Sequence, residues 1–92
     1  MEGVTQINPI FSESLAYRAV HNLCRGADVP MWTIRRISPG RYRIEEYNLV
    51  MEVDQTYKVK CIGRWEKETE TIIHLTSDDV KLIKSWSLDH LL

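Results

Sequence analysis

From Tyr42 to Trp65 most apolar residues fall on alternate positions, and no other feature narrows the fold of this chain as much. A period of two is the mark of a strand with one buried face. Tyr42 and Ile44 are even-numbered; Tyr47, Leu49, Met51 and Val53 are odd, as are Tyr57, Val59, Cys61 and Trp65. A strand cannot change phase without a bulge or a break, which predicts one near Glu45-Glu46. A three-residue loop, Asp54-Gln55-Thr56, then pairs Val53 with Tyr57, Met51 with Val59 and Leu49 with Cys61. The same register sets Glu52 against Lys58 and Glu46 against Arg64, so apolar and ionic pairs select one pairing.

Upstream, the β-rich run 31–37 meets the turn signal Ser38-Pro39-Gly40. A three-residue loop pairs Ile37 with Arg41, Arg36 with Tyr42 and Ile34 with Ile44, and it collects Trp32, Ile34, Tyr42 and Ile44 on one face. Pro39 sits poorly in the middle of such a loop, where the commonest turn disfavours proline. Arg35 also falls opposite Arg43, which costs energy unless an acid lies between them, and Glu45 is one residue pair away.

Helical stripes bracket the strands. Phe11, Leu15, Ala16, Ala19, Val20, Leu23 and Cys24 form one stripe of spacings three and four, ending near Arg25 with Gly26 in the left-handed position beyond it. Asn8-Pro9 and Ser12 are rival starts for this helix. A short strand, 71–75, precedes Thr76-Ser77-Asp78-Asp79, which opens a second helix from about Asp78 to Trp86. The order α-β-β-β-β-α predicts an α+β, two-layer domain over residues 1–92, with 1–8 flexible. Its sheet is a four-stranded antiparallel meander with the N-terminal and C-terminal helices on one face. The arc from Val80 to Leu92 carries more apolar residues than one core-facing stripe needs. Either Ser87 breaks the helix, or Trp86, Leu88, Leu91 and Leu92 meet a second copy in a homo-oligomer.

Composition excludes several chemistries. A net charge of -1 over 92 residues gives no whole-chain attraction to nucleic acid or to an anionic membrane. No apolar run could span a bilayer, and the first residues lack the basic and apolar regions of a secretion signal, so the expected location is cytoplasmic. Cys24 and Cys61 both fall in apolar phase and read as reduced, buried thiols, inert as nucleophiles. His21, Cys24, Cys61 and His74 could in principle hold zinc, but the paired-ligand knuckle is missing and His21 points away from Cys24. The acidic pairs read as a helix cap and a solvated loop rather than an acid–base couple. The expectation is a non-enzymatic protein without cofactor or metal.

What remains is a local excess of charge. Residues 31–43 carry +4, and Arg35, Arg36, Arg41 and Arg43 find no obvious complement in the expected pairing. Arginine with aromatic residues dominates protein interfaces. Trp32, Arg35, Arg36, Arg41 and Arg43 are therefore the candidate partner contacts, with Val50 and Ile62 secondary. The expected function is an inhibitor, adaptor or regulatory module that binds an acidic surface on another protein, of the size that phages and mobile elements encode. The alternative is nucleic-acid binding through the same hairpin. Val29-Pro30-Met31-Trp32-Thr33-Ile34-Arg35-Arg36-Ile37 also resembles the recognition helix of helix-turn-helix regulators, with 41–61 as a wing. It departs from that pattern in Gly26, which would fall inside the preceding helix, and in lacking a separate first helix.

Overall fold

A computed structural model describes residues 11–26 and 34–92. Trp32, the first residues of the predicted strand, the Asn8-Pro9 cap and the flexible stretch 1–8 lie outside the described residues. The elements are α1 (Glu13–Gly26), β1 (Ile34–Ser38), β2 (Arg41–Ile44), β3 (Leu49–Val53), β4 (Val59–Glu66), β5 (Thr71–Ile73), α2 (Ser77–Ser85) and a 3₁₀ turn (Asp89–Leu91). The fold is α+β, and the sheet is an antiparallel meander in the order β1-β2-β3-β4-β5. Among the described residues it has five strands, one more than the sequence predicts. It curls, so that Ile37 of β1 and Ile72 of β5 line one cleft. The Ile34–Ser38 segment is a strand, which removes the recognition-helix reading over those residues.

The extra strand comes from the phase change. Residues 45–48 are a complete turn rather than a bulge, and Ile44 pairs directly with Leu49. Pairing an even residue with an odd one is what shifts the apolar phase, so 42–53 is a hairpin that resembles a single interrupted strand. Asn48 closes the turn at φ 55, a left-handed position that asparagine tolerates better than most residues.

The β1–β2 register is Ile34↔Ile44, Arg35↔Arg43 and Arg36↔Tyr42, as the sequence predicts. The end of the hairpin differs. A bulge at Ile37 sets Ser38 against Arg41, leaving a two-residue loop. Pro39 then takes the first central position and Gly40, at φ 75, the second, which is a type II turn. The bulge thus reconciles proline with the register.

The β3–β4 register is corrected by two residues. Val53 pairs with Val59, Glu52 with Lys60 and Met51 with Cys61. The loop is longer because the Asp54 carboxylate organises it, accepting from Thr56 N (2.8 Å), Thr56 Oγ1 (2.6 Å) and Lys58 N (3.1 Å). Tyr57 adopts φ 63 within it, held by stacking on Phe11 and by accepting a hydrogen bond from Ser12 N at 2.9 Å. A shift of two keeps each side chain on its face but changes its partners, so the ion pairs Glu52–Lys58 and Glu46–Arg64 do not form. A bulge at Ile62 follows, since Met51 faces Cys61 while Val50 faces Gly63. Beyond it the faces exchange. Trp65 turns away from the core, and Arg64 turns toward α2.

Both helices share one core with the sheet. Ala16, Val20 and Cys24 pack with Tyr42, Ile44, Met51 and Val53, and Ile83 and Leu91 join the same cluster. The α1 stripe is narrower than its periodicity suggests: Leu15 is 47% exposed. Ser12 is the cap of α1, its Oγ accepting from Leu15 N at 3.2 Å. Gly26 is the last helical residue rather than a left-handed residue after the helix.

Helix α2 begins with a reciprocal cap in which Thr76 Oγ1 accepts from Asp79 N and Thr76 N donates to Asp79 Oδ2. It ends in a Schellman motif: Ser87 at φ 61, with Ser87 N donating to Lys84 O and Leu88 N to Ile83 O. Ser87 therefore does break the helix. The chain turns back, Leu91 is buried, and Trp86 and Leu88 are half-buried against the core.

Candidate interaction face

Strand alternation decides which of the candidate side chains meet. Arg35 faces Arg43 and Arg41 stands two residues along β2, so these three arginines share the sheet face turned away from the helices. Val50 lies opposite Arg43, and Gly63 opposite Val50, in the same row. Arg36 is on the other face, with its Nε 3.1 Å from Glu13 Oε1 on α1. Ile62 occupies the β4 bulge, half-buried.

Each arginine of the hairpin has a carboxylate, against the expectation of an uncompensated block. Glu45 lies between the opposed pair, with Oε2 3.1 Å from Arg43 Nη2 and Oε1 3.7 Å from Arg35 Nη2. Arg41 Nε is 3.1 Å from Glu52 Oε2, its cross-strand neighbour. Two acids that follow the hairpin in the chain, Glu45 and Glu52, neutralise its outer face, and Glu13 of α1 neutralises Arg36 on the other. The Arg35, Arg36 and Arg41 pairs are substantially exposed. Such pairs are worth roughly 0–1 kcal/mol and exchange readily.

Arg43 differs. Its side chain is only 17% exposed. Its guanidinium lies 5.6 Å from the Trp65 ring centroid, a cation–π contact, and its buried Nε has no hydrogen-bond partner among the described residues. Val50 is fully buried on this face, so it supports the surface rather than forming it. Ile37, Arg41, Trp65, Glu70 and Ile72 line a shallow cleft of about 400 Å³. Sequence reasoning assigned Trp65 to the core and so missed it here. Gly63 is the signal that could have found it, because a glycine inside a strand marks a bulge or a close approach.

The remaining titratable groups serve the fold. Burial pushes the Cys24 and Cys61 thiols up to about 11, and both are free. Burial, then the hydrogen bond to Glu13, pushes the Tyr42 phenol up; its Oη donates to Glu13 Oε1 at 2.7 Å. That bond, with Arg36, holds the Glu13 carboxyl below its ordinary range. Among the described residues no group of three or more His, Cys, Asp and Glu is placed to hold a metal ion. None of their helices is long and apolar enough to cross a membrane. No protein-family model, no curated protein and no solved structure matches this chain.

Proposed function

We propose that the chain is a non-enzymatic binding module whose curled sheet face, Arg35, Arg41 and Arg43 with Trp65, engages an acidic surface on another protein. The observation that carries the reading is that three arginines share the sheet face the helices leave uncovered, where Arg43 lies over the Trp65 ring and Arg41 and Trp65 line one cleft. The pairs with Glu45 and Glu52 are exposed, and a partner's carboxylates can replace them at little cost. Arg43 stacked on Trp65 supplies the rigid, desolvated kind of anchor that interfaces rely on. Thiols held near 11 by burial favour a binding role over nucleophilic catalysis.

The test uses Arg35→Gln/Arg41→Gln, which removes two charges and keeps both stems. Reversing Arg43 to Glu is a poorer choice, because that side chain is buried against Trp65 and lies beside Glu45. The double variant should melt like the wild type, within about 1 kcal/mol. Protein captured from native lysate by the immobilised wild type should be lost by the variant, an affinity drop of about tenfold or more. Undiminished capture by the variant overturns the site. A shift of labelled duplex or single strand whose affinity falls steeply with salt overturns the protein-partner reading in favour of nucleic acid.

A further inference from the structure

A second concavity lies on the helix side of the sheet, away from the arginine face. Ala19 and Leu23 of α1, Tyr57 and Lys58 of the β3–β4 loop, Val59 at the start of β4, and His90 line a groove of about 650 Å³. That volume falls in the range of small-ligand sites, roughly 300–1,000 Å³, which combine apolar walls with a few polar groups. Ala19, Leu23, Tyr57 and Val59 are half-buried and provide the walls. Lys58 and His90 are exposed, and neither side chain takes part in an ion pair or hydrogen bond among the described residues. Asp54 and Lys60 line the groove as well; Asp54 Oδ1 accepts three hydrogen bonds within its own loop and its carboxylate feels the Lys58 charge, so the basic side chains of the lining outnumber the one acid.

The wall is also pre-organised. Tyr57 holds a left-handed backbone that bulky residues rarely adopt, fixed by Asp54 on one side and by Phe11 and Ser12 on the other. A binding wall that is already ordered loses little entropy when a ligand arrives. We propose that this groove binds a small amphipathic organic anion, an apolar chain ending in a carboxylate. The chain lies along Ala19, Leu23 and Val59, and the head group meets Lys58 and His90.

The probe is decanoate, titrated into the full chain by calorimetry and followed by amide chemical shifts. The expected result is saturable binding of one decanoate per chain, with shifts at Ala19, Leu23, Tyr57, Lys58 and His90. Decanol, with the same chain and no charge, should bind about tenfold more weakly, the worth of one hydrogen bond to a charged group. Lys58→Gln/His90→Gln should weaken decanoate by about tenfold or more and leave decanol and the melting temperature unchanged. Non-saturable uptake, equal affinity for decanol, undiminished binding in the double variant, or shifts centred on Arg41 and Trp65 would each overturn the proposal. Loss of decanoate binding at this groove leaves the arginine face untested, and loss of partner capture by Arg35→Gln/Arg41→Gln leaves this groove untested, so the two readings stand or fall separately.

Discussion

Asp79→Ala is expected to cost about 3 kcal/mol of folding stability, from the loss of a desolvated ion pair and of the carboxylate half of a capping box together. Asp79 is 4% exposed. Its carboxylate receives Arg64 through two bonds, Nε to Oδ2 at 2.9 Å and Nη2 to Oδ1 at 3.0 Å. It also accepts from Thr76 N at 2.9 Å while its own amide donates to the Thr76 hydroxyl. One side chain therefore ties β4 to α2 and starts the helix. Alanine removes the ion pair and the bond from Thr76 N, keeps the amide of residue 79 on the Thr76 hydroxyl, and leaves Arg64 with only the long contact from Nη2 to Tyr47 O at 3.4 Å. The Arg64 side chain is 32% exposed, so water recovers part of the loss, and a larger figure is not warranted. Against the roughly 5–14 kcal/mol that a chain of this length commands, the urea midpoint should fall by about a fifth or more.

The same residue predicts an acid limb. The Arg64 guanidinium, then the Thr76 contacts, hold the Asp79 carboxyl at about 2, below its ordinary 3.8. A group depressed in the folded state contributes stability above its unfolded value, and that contribution is lost as pH falls through the folded value. Stability should therefore decline between pH 4 and pH 2 by on the order of 2 kcal/mol on this account. In Asp79→Asn that part of the decline should vanish. An equal acid limb in the asparagine variant would show that another carboxyl is responsible.

Gly63→Ala should cost about 3 kcal/mol, at the upper end of overpacking penalties. A methyl at this position would run into the carbonyl oxygen of Ile73, which belongs to the paired strand, and come within 2.7 Å of Ile72 Cγ2. Backbone of a paired strand cannot swing aside as a side chain can, so the ladder itself must open. β5 has only three residues and lies at the sheet edge, so it is the element that yields. Hydrogen exchange should speed up at the amides that pair β4 with β5, and Trp65 fluorescence should shift as Ile72 leaves it. Gly26→Ala is the control. Nothing lies within 4 Å of its added carbon, and as a helical position it should gain about 0.5–1 kcal/mol. A Gly63→Ala protein as stable as the wild type would contradict the β4–β5 register.

Parity made much of the sheet readable. Which of Tyr42, Ile44, Met51, Val53, Val59 and Cys61 face the core depends only on odd and even, and an error of two residues in pairing leaves that untouched. Loop length was not readable, because it depends on where a side chain folds back on its own backbone. Asp54 does so and lengthens its loop to five residues. The Ile62 bulge left no mark in its own residue, since isoleucine is an ordinary strand former, and everything after it changed face. Trp65 and Arg64 were misplaced for that single reason. The arginine face was legible as a face, but Glu45, only one residue pair away in the sequence, was not assigned to Arg35 and Arg43 and the block was expected to stay uncompensated. The partners of Arg41 and Arg36 were not legible, because Glu52 and Glu13 become neighbours only once β2 has paired with β3 and α1 has docked.

The meander has a kinetic meaning as well. Every strand pairs only with its sequence neighbours, across loops of two, four, five and four residues. Each ladder is a local hairpin, and closing such short loops takes little chain entropy. Hairpins of this kind form in about 1–10 μs, whereas docking α1 must bring Ala16 and Val20 against Met51 and Val53 from more than thirty residues away. The sheet can therefore assemble progressively from its turns, and the search that limits folding is the arrival of a helix on a surface already formed.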